Sequence, residues 1–327
     1  MKICHWVAFP NSGMFNVAAS ISAAEKNHLG LDSYCINIQE VTTDALDQWA
    51  DADVHVAHTH FPDEMRRRVT RPLKLVFPAH GTPEHVFHSA VMAAKDGYGH
   101  GDGWMLYQYW LQNADAVVTF WPRHQAIMQT LVDKNTKVHL VPMGVNREFW
   151  SKGESKGKWS GSPSVFAAEN AHTIKWPLDL FLMWPWVYKE VAGASLHVCY
   201  LPTDMHRWFF SLINRNGASY GSHVSSATFP HTELRNVFRS VDYQIGLVRY
   251  GDFNKLSLEA NAAGVKTISY RGNPYSWFWI DEGDQREQAR QLTAILKGEI
   301  EPRQDRIAPP DISTTAAEML KVYESVL

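Results

Sequence analysis

The sequence has few cysteines, no long apolar run and no excess of one charge. Its three cysteines, Cys4, Cys35 and Cys199, form no CxxC pair, which argues against a disulfide framework or a zinc ribbon. No apolar run approaches the roughly 20 residues that cross a bilayer, and the first residues are too interrupted for a secretory signal. We therefore expect no transmembrane segment and a cytoplasmic location (the host cytoplasm, if the chain is viral), with peripheral attachment to a membrane left open.

The charge balance excludes a general attraction to nucleic acid. Lys and Arg number 31 against 34 Asp and Glu, which gives a formal net charge of −3, so binding of DNA or RNA would need a local basic patch. A hydrophobic content of 45% excludes a disordered chain. The length of 327 residues predicts two domains, each with its own core.

Short β-branched runs alternate with helix-length segments, which is typical of an α/β fold with parallel sheets. The predicted strands lie at 2–9, 33–38, 54–60, 73–80, 116–120, 137–143, 164–169, 195–201, 241–248 and 265–270. Residues 151–163 are rich in Gly, Ser and Lys and predict a linker. We therefore predict two doubly wound, Rossmann-like domains that face a cleft, with ligands beyond the carboxyl ends of the strands.

One polar segment, 251–264, follows a predicted strand and leads into a helix. Asn254, Lys255 and Ser257 lie where that helix begins, and free backbone N–H groups there favour an anion. Glu259, about one turn further, is placed to accept hydrogen bonds from a ribose diol. The alternative is an ordinary amphipathic helix with a solvated Lys and Glu.

A second polar segment, 166–181, has the same order of strand, loop and helix, with Pro177 in the first helical turn. Asn170 and Lys175 lie in its loop. Lys175 is placed to neutralise a leaving phosphate, although a surface lysine beside a helix start explains it equally well. A third segment, 140–150, shows only that a strand ends in a tight Pro–Met–Gly turn.

Together, three motifs resemble the carboxyl-terminal half of the retaining, family-4-like glycosyltransferases of GT-B fold (group 1), in their divergent phage and capsule-cluster type. The motifs are VPMGVNREFW (141–150), AENAHTIKWP (168–177) and GDFNKLSLEANAAGVKTIS (251–269). The amino-terminal half is similar to the same family in its first loop and helix and in the segments VHVAHTHFP, LVFPAHGTP and NADAVVTFWP. The resemblance extends over most of the chain.

The resemblance implies a GT-B architecture. Residues 1–150 would form an acceptor-side domain and 164–311 a nucleotide-sugar-binding domain, while a last helix at 312–327 would pack back on the first domain. The implied activity is transfer of a sugar from a nucleotide-diphosphate sugar to an acceptor hydroxyl, with retention and without a metal ion. No cofactor is implied, because the nucleotide sugar is a co-substrate, and a UDP-sugar is the expected donor.

The resemblance also assigns site residues. Glu259 would bind ribose, Lys175, Asn170 and Lys255 would stabilise the departing diphosphate, and Asn254 lies at the same helix start.

At the other domain, His80 would contact the transferred sugar and Gly13 would let the first loop approach the diphosphate. Two positions depart from the family pattern. Gly251 replaces the family's first glutamate, so Asp252 is the substitute carboxylate, and Asn170 replaces an arginine, for which Arg249 or Lys255 would compensate.

The acceptor side has two candidate features. Arg66 and Arg67 begin a basic run that could hold an anionic acceptor, a membrane surface or a DNA backbone, unless it is a solvated helix face. Residues 95–104 contain four glycines and predict a lid, and Trp104 and Tyr107 beside it predict an aromatic platform for sugar rings or bases. A glycan, a lipid-linked sugar, a protein, a small molecule and a hydroxymethylated DNA base all stay open as acceptors.

We expect no metal site. His58 and His60 share a predicted strand face, but no third ligand is near them in sequence. Asp51 and Asp53 form a DxD tripeptide, yet they precede their strand and so lie at the end opposite the expected ligands.

Two other functions are compatible with the sequence. A nucleotide-sugar epimerase of the same fold would share the diphosphate site and transfer to no acceptor. A non-catalytic nucleotide-sugar-binding protein is the other alternative, because the carboxylate expected at Gly251 is missing.

Overall fold

The computed structural model describes residues 1–8, 13–84, 86–87, 90–91, 102–155, 157–168, 178–201, 203, 206, 211, 220–248 and 255–327. The chain divides into two compact units. Unit 1 comprises Met1–Asn146 and Pro310–Leu327, and unit 2 comprises Arg147–Pro309.

The strands of unit 1 are β1 Lys2–Val7, β2 Asp32–Asn37, β3 Val54–Ala57, β4 Leu75–Ala79, β5 Ala116–Thr119 and β6 Lys137–Leu140. Those of unit 2 are β7 Ser164–Ala168, β8 Ser195–Cys199, β9 Ser222–Val224, β10 Tyr243–Gly246, β11 Lys266–Tyr270 and β12 Phe278–Ile280. Most of these strands are buried on both faces, and for that reason their segments of the sequence are nearly continuous apolar runs.

The helices are α1 Gly13–Leu29, α2 Thr43–Trp49, α3 Asp63–Arg68, α4 Asp102–Asn113, α5 Gln125–Leu131, α6 Arg147–Ser151, α7 Leu178–Glu190, α8 His231–Phe238, α9 Lys255–Ala262, α10 Gln285–Lys297 and α11 Ile312–Val326. Short 3₁₀ turns lie at Ile38–Glu40 and Pro122–His124. Residues 204–214, where the sequence also favours a helix, fall largely outside the described residues.

The sheet of unit 1 has the order β2-β1-β3-β4-β5-β6, and its strand pairs are parallel. Ile3 pairs with Ser33 on one side and with Val54 on the other. The chain therefore adds β2 on one side of β1 and then β3 to β6 on the other side. This reversal makes the boundary between β1 and β3 a topological switch point. Trp6, Met65 and Leu111 are among the fully buried side chains of this unit's core.

The sheet of unit 2 has the order β12-β11-β10-β7-β8-β9, again with parallel pairs. This is the strand order of a Rossmann fold, with its switch point between β7 and β10. Phe181 and Trp184 of α7 and Ile245 of β10 lie in its core. Both sheets confirm the predicted α/β class with two Rossmann-like domains.

The last helix, α11, packs against α1 in unit 1. Its first turn is held by Asp311, whose side chain accepts a hydrogen bond from Ser313 N at 3.0 Å, an ordinary N-cap. The backbone of Val145 bonds on both sides of Asp311, donating to Pro310 O and accepting from Ile312 N, each at 3.0 Å. The turn at Gly144–Val145 thus positions the start of α11.

The structure differs from the sequence prediction in several local features. β3 ends at Ala57, so His58 and His60 lie beyond the strand and do not share a strand face. β9 and β12 were not predicted, because a three-residue strand is too short to show a period. The predicted linker 151–163 belongs to unit 2, where its Trp159 packs on Phe166 at 5.7 Å between ring centroids.

Candidate active site

The carboxyl ends of β7 and β10 are neighbours at the switch point of unit 2. Ligands of Rossmann-like sheets bind outside this point. The predicted residues Asn170 and Lys175 follow β7 in sequence, and Arg249, Asp252 and Asn254 follow β10. All five lie outside the described residues, so the site is built here from Lys255 onward.

The start of α9 holds a buried carboxylate with a cation beside it. Glu259 is 4% exposed, and Lys255 Nζ lies 3.3 Å from its Oε1, as an i,i+4 spacing on a helix allows. His231 Nε2, from the start of α8, lies 4.0 Å from the same oxygen. Burial lowers the pKa of His231, the Glu259 carboxylate opposes that shift and Lys255 adds to it.

Ser257 adds an orphaned hydroxyl to the same helical turn. The residue is 2% exposed, and in the part of the chain that the structure describes its Oγ has no hydrogen-bond partner. An unsatisfied buried hydroxyl costs free energy. Together with the positive end of the helix dipole at the start of α9, it suits an anionic ligand that accepts hydrogen bonds.

Two further residues near this edge were missed by sequence reasoning. His231 lies 5.4 Å from the Trp150 ring, between centroids, in an edge-to-face contact. Tyr200 follows β8 with a φ of 66°, an uncommon backbone conformation for a tyrosine, and its Oη donates to Phe229 O at 3.0 Å. The sequence carries no signal for either, because one depends on the packing of α8 and the other on backbone strain.

In unit 1, His80 directly follows β4 and is half-buried at the carboxyl edge of the sheet. Its Nε2 lies 2.7 Å from Nδ1 of His58, and its ring lies 5.8 Å from that of Phe120. His58 is buried, and its Nε2 lies 2.9 Å from Nδ1 of His5. Burial, followed by the neighbouring His80 and His5, holds the pKa of His58 well below its usual range.

Gly13 begins α1 at an exposed position, and a Cβ there would meet nothing within 4 Å. The loop before it lies outside the described residues. Helix α1 follows β1 in the chain. A ligand of this unit would be expected at the switch point between β1 and β3.

No protein-family model and no curated protein sequence matches the chain. Solved structures do match it. The chain is similar to Anabaena HepE, solved with UDP and glucose, at 12% identity and a TM-score of 0.64, covering 99% of this chain and 100% of that one. It is also similar to sucrose-phosphate synthase of Thermosynechococcus elongatus, at 12% identity and a TM-score of 0.62, covering 100% and 96%.

The chain has the GT-B fold. A further similar structure is the pneumococcal O-GlcNAc transferase GtfA, solved with UDP and GlcNAc, at 12% identity and a TM-score of 0.57. That match covers 86% of this chain and 56% of GtfA, so the chain spans little more than half of the enzyme's length. At these identities the comparisons show the fold alone.

In the amino-terminal unit of this GT-B chain, the predicted aromatic platform is partly buried. Tyr107 is in the core, donates from its Oη to Gly81 O at 3.1 Å and stacks on Trp104 at 5.9 Å between ring centroids. Trp104 is half-buried, and the nearby rings of Tyr109 and Phe87 are exposed, at 42% and 51%. The predicted lid falls mostly outside the described residues, since 92–101 are not among them.

The basic run lies on α3, where its members differ in their partners. Arg66 is exposed, with its guanidinium 5.5 Å from the Trp110 ring centroid and 6.0 Å from that of Tyr109. Arg67 is exposed as well. Arg68 is ion-paired with Asp47 and Glu64. The structure therefore places Arg66, rather than the whole run, beside the aromatic side chains.

The DxD tripeptide lies at the amino end of the unit 1 sheet. Asp53 accepts a hydrogen bond from Lys2 N at 2.7 Å and pairs with Arg71 at 2.8 Å, while Asp51 pairs with Lys2. Among the described residues, no group of three or more His, Cys, Asp or Glu side chains could hold a metal ion. Within the same residues, no helix is long and apolar enough to cross a bilayer.

Proposed function

We propose that this chain is a glycosyltransferase that moves a sugar from a nucleoside diphosphate sugar, first of all a UDP-sugar, to an acceptor hydroxyl. The observation that carries the proposal is the start of α9. At the switch point of a Rossmann sheet it combines Lys255, a buried hydroxyl on Ser257 that has no partner among the described residues, and a buried carboxylate on Glu259. These groups suit a diphosphate and a ribose, and GT-B structures of similar fold were solved with UDP and a sugar.

In this proposal the protein's main task is electrostatic. When the bond between the anomeric carbon and the diphosphate oxygen breaks, negative charge grows on the diphosphate, and preorganised donors stabilise it. Lys255 and the Ser257 hydroxyl supply such donors, and the positive end of the α9 helix dipole adds to them. Lys175, Asn170 and Arg249 are proposed to complete the set, and Glu259 to hold the ribose.

The family resemblance assigns His80 and Asp252 to the part of the site that holds the transferred sugar, and Gly13 to the loop that approaches the diphosphate. We infer front-face attack: the acceptor oxygen bonds to the anomeric carbon, and its proton passes to the departing diphosphate. The anomeric configuration is then retained, without a covalent intermediate and without a metal ion. The acceptor stays open between a glycan, a lipid-linked sugar and a modified DNA base, with Arg66, Arg67, Trp104 and the neighbouring exposed ring of Tyr109 as the surface to test.

The test is a binding panel followed by turnover. Thermal unfolding is measured with UDP, GDP, ADP, CMP and their common sugars, with and without EDTA. A ligand at 100 times its Kd stabilises the folded state by about 2.7 kcal/mol. We expect one nucleoside diphosphate to stabilise the protein with or without EDTA. This stabilisation should be lost in Lys255→Ala and in Glu259→Gln. The control is Lys266→Ala, which should behave as wild type because Lys266 is exposed at the amino end of β11.

Turnover separates the alternatives. Release of nucleoside diphosphate together with a glycosylated product of retained configuration, read by NMR of the anomeric proton, supports the proposal. An epimerised sugar formed without nucleotide release indicates the epimerase. Tight binding without turnover across a wide acceptor panel indicates a binding protein, and the absence of any nucleotide binding overturns the assignment of the α9 site.

A further inference from the structure

A continuous chain of buried polar side chains crosses unit 1, from the last helix to the carboxyl edge of the sheet. Tyr323 Oη donates to Glu25 Oε1 at 2.7 Å, and Glu25 Oε2 lies 2.9 Å from His5 Nε2. His5 Nδ1 lies 2.9 Å from His58 Nε2, and His58 Nδ1 lies 2.7 Å from His80 Nε2. These five residues are called the Tyr323–His80 array.

The carboxylate of the array is fully buried and well supplied with donors. Glu25 is 0% exposed and accepts hydrogen bonds from Tyr323 of α11 and from Ser33 of β2, the latter at 2.6 Å. A group that accepts from several donors at once is satisfied as an ionised carboxylate. Within the described part of the chain, His5 is the group beside it that can carry a positive charge.

The other titratable groups around Glu25 stay neutral. Burial, the charge of Glu25 and its hydrogen bond raise the pKa of Tyr323 well above the usual range. Burial and the same charge raise the pKa of Cys35, on β2, to about 12. His5 is therefore the place beside Glu25 where a positive charge can rest, and a buried carboxylate strongly favours such a partner.

Hydrogen-bond direction along the array is set from the Glu25 end. A neutral imidazole has one donor and one acceptor nitrogen. If His5 donates from Nε2 to Glu25, its Nδ1 accepts from His58 Nε2, and His58 Nδ1 then accepts from His80 Nε2. His80 consequently has Nδ1 as its acceptor nitrogen.

A proton that arrives at His80 Nδ1 reverses the two hydrogen bonds between the histidine rings. The Nε2 proton of His80 moves to His58 Nδ1, and the Nε2 proton of His58 moves to His5 Nδ1. His5 is then an imidazolium beside Glu25, while His58 and His80 are neutral again. One proton has entered at the sheet edge and one positive charge has appeared at His5, so atoms and charge balance.

We infer that the Tyr323–His80 array is a proton relay that stores its added proton on His5 against Glu25 and thereby decides whether His80 accepts or donates at Nδ1. The depressed pKa of His58 is consistent with this, because the middle ring passes the proton without keeping the charge. The catalytic consequence rests on the proposed function, in which His80 contacts the transferred sugar. In that setting Glu25, His5 and His58 are positioning residues that act through His80.

The direct test is NMR of the full-length protein with ¹⁵N in the histidine rings. We expect couplings between the nitrogens of His5 and His58 and between those of His58 and His80. As pH falls, His5 becomes the imidazolium and His58 stays neutral. In Glu25→Gln the midpoint of this protonation moves down by about one pH unit or more, because the stabilising carboxylate is gone, and the His80 tautomer changes.

A static network predicts the opposite result. The relay is overturned if, in a folded Glu25→Gln protein, His80 keeps the same tautomer and His5 keeps the same midpoint, if the nitrogen couplings are absent, or if His58 is protonated before His5. Should Glu25→Gln fail to fold, His58→Gln decides, because an amide can replace both hydrogen bonds and cannot pass a proton along. In that variant proton uptake at His80 no longer changes the ¹⁵N shifts of His5 if the relay exists.

The kinetic arm uses a matched pair of substitutions on the same stretch of chain. Because His58 fixes which nitrogen of His80 donates to the sugar, His58→Gln should lower kcat about tenfold or more and displace its pH profile, with little change in donor KM. His55→Gln is the control, because His55 is buried on β3 and contacts Trp6 rather than the array; it should keep the wild-type pH profile. An equal effect of both substitutions would show packing damage and contradict the relay.

If no nucleotide sugar is turned over, the proposed function fails, while the NMR result still decides the relay.

Discussion

Burial changes the chemistry of single side chains in both units. The thiol of Cys199, for example, has its pKa raised to about 11 by burial, so it stays protonated at neutral pH. The same effect lowers the pKa of His231, where it is combined with two opposing charges. Because these charges are on neighbouring residues, their contributions can be removed one at a time.

The first prediction concerns His231. Lys255 disfavours its imidazolium and Glu259 favours it, so Lys255→Met should raise the pKa of His231. A histidine whose pKa is lower in the folded than in the unfolded state loses stability as pH falls through its unfolded value, near 6.5. The variant should therefore lose less stability between about pH 7 and 5 from this residue. NMR titration of the ring measures the pKa directly.

Lys266→Met is the control for this titration, because Lys266 is exposed and lies near Tyr243 rather than near His231. An unchanged or lower pKa of His231 in Lys255→Met would contradict the ion-pair geometry at the start of α9, and with it the site on which the proposed function is built.

At the scale of elements, α11 is held to the rest of unit 1 by the turn at Gly144. A Cβ at this position would lie 2.6 Å from Asp311 O and 2.5 Å from the Thr315 side chain. Backbone atoms cannot move aside cheaply, and Thr315 is itself bonded to Pro142 O at 2.8 Å. The glycine is therefore required by a close approach of two chain segments.

The second prediction follows from this contact. Gly144→Ala should lower the free energy of unfolding by about 1–3 kcal/mol, as overpacking of a tight contact does. Urea unfolding followed by circular dichroism measures the loss. Gly13→Ala is the matched control, because a Cβ there meets nothing within 4 Å. Equal stability of the two variants would show that α11 does not depend on this turn.

Strand and helix positions were largely predictable, and their exact ends were not. The parallel strands were recognised because burial on both faces leaves continuous β-branched runs in the sequence. β3 was predicted to run to His60, but the chain leaves the sheet after Ala57, and His58 turns into contact with His5 and His80. An end of this kind is decided by side chains that are distant in sequence.

At the scale of the whole chain, each unit has its own hydrophobic core and its own sheet. The described residues that are proposed to bind the nucleotide at the start of α9, Lys255, Ser257 and Glu259, lie in unit 2. A ligand stabilises the part of a protein that must be folded to bind it.

The third prediction applies this to hydrogen exchange. Saturating nucleotide should slow exchange in peptides from β7, β10 and α9, and the stabilisation at 100 times Kd should approach about 2.7 kcal/mol in unit 2. Core peptides of β1 and β2 in unit 1 should change less. Mass spectrometry with and without UDP measures both sets in one experiment, and protection confined to unit 1 would contradict the assignment.

The candidate site was predictable only in part. Lys255 and Glu259 were found because a polar segment between a strand and a helix marks a ligand site in this class of fold, and the structure places them 3.3 Å apart. His231 and Tyr200 were missed, because the first comes from another helix and the second is marked by its backbone conformation. The roles of Lys255 and Glu259 stay predictions, as do those of Asn170, Lys175, Arg249, Asp252 and Asn254.

The sequence by itself determined the α/β class, the parallel strands and the positions of the polar segments that follow them, since these depend on local patterns of burial and turn chemistry. Tertiary structure alone decided the strand order and therefore the switch points. It also brought together Glu25, His5, His58, His80 and Tyr323, which are spread over almost the whole length of unit 1's sequence. A hydrogen-bonded array of this kind leaves no local pattern, because each member is fixed by a partner from another strand or helix.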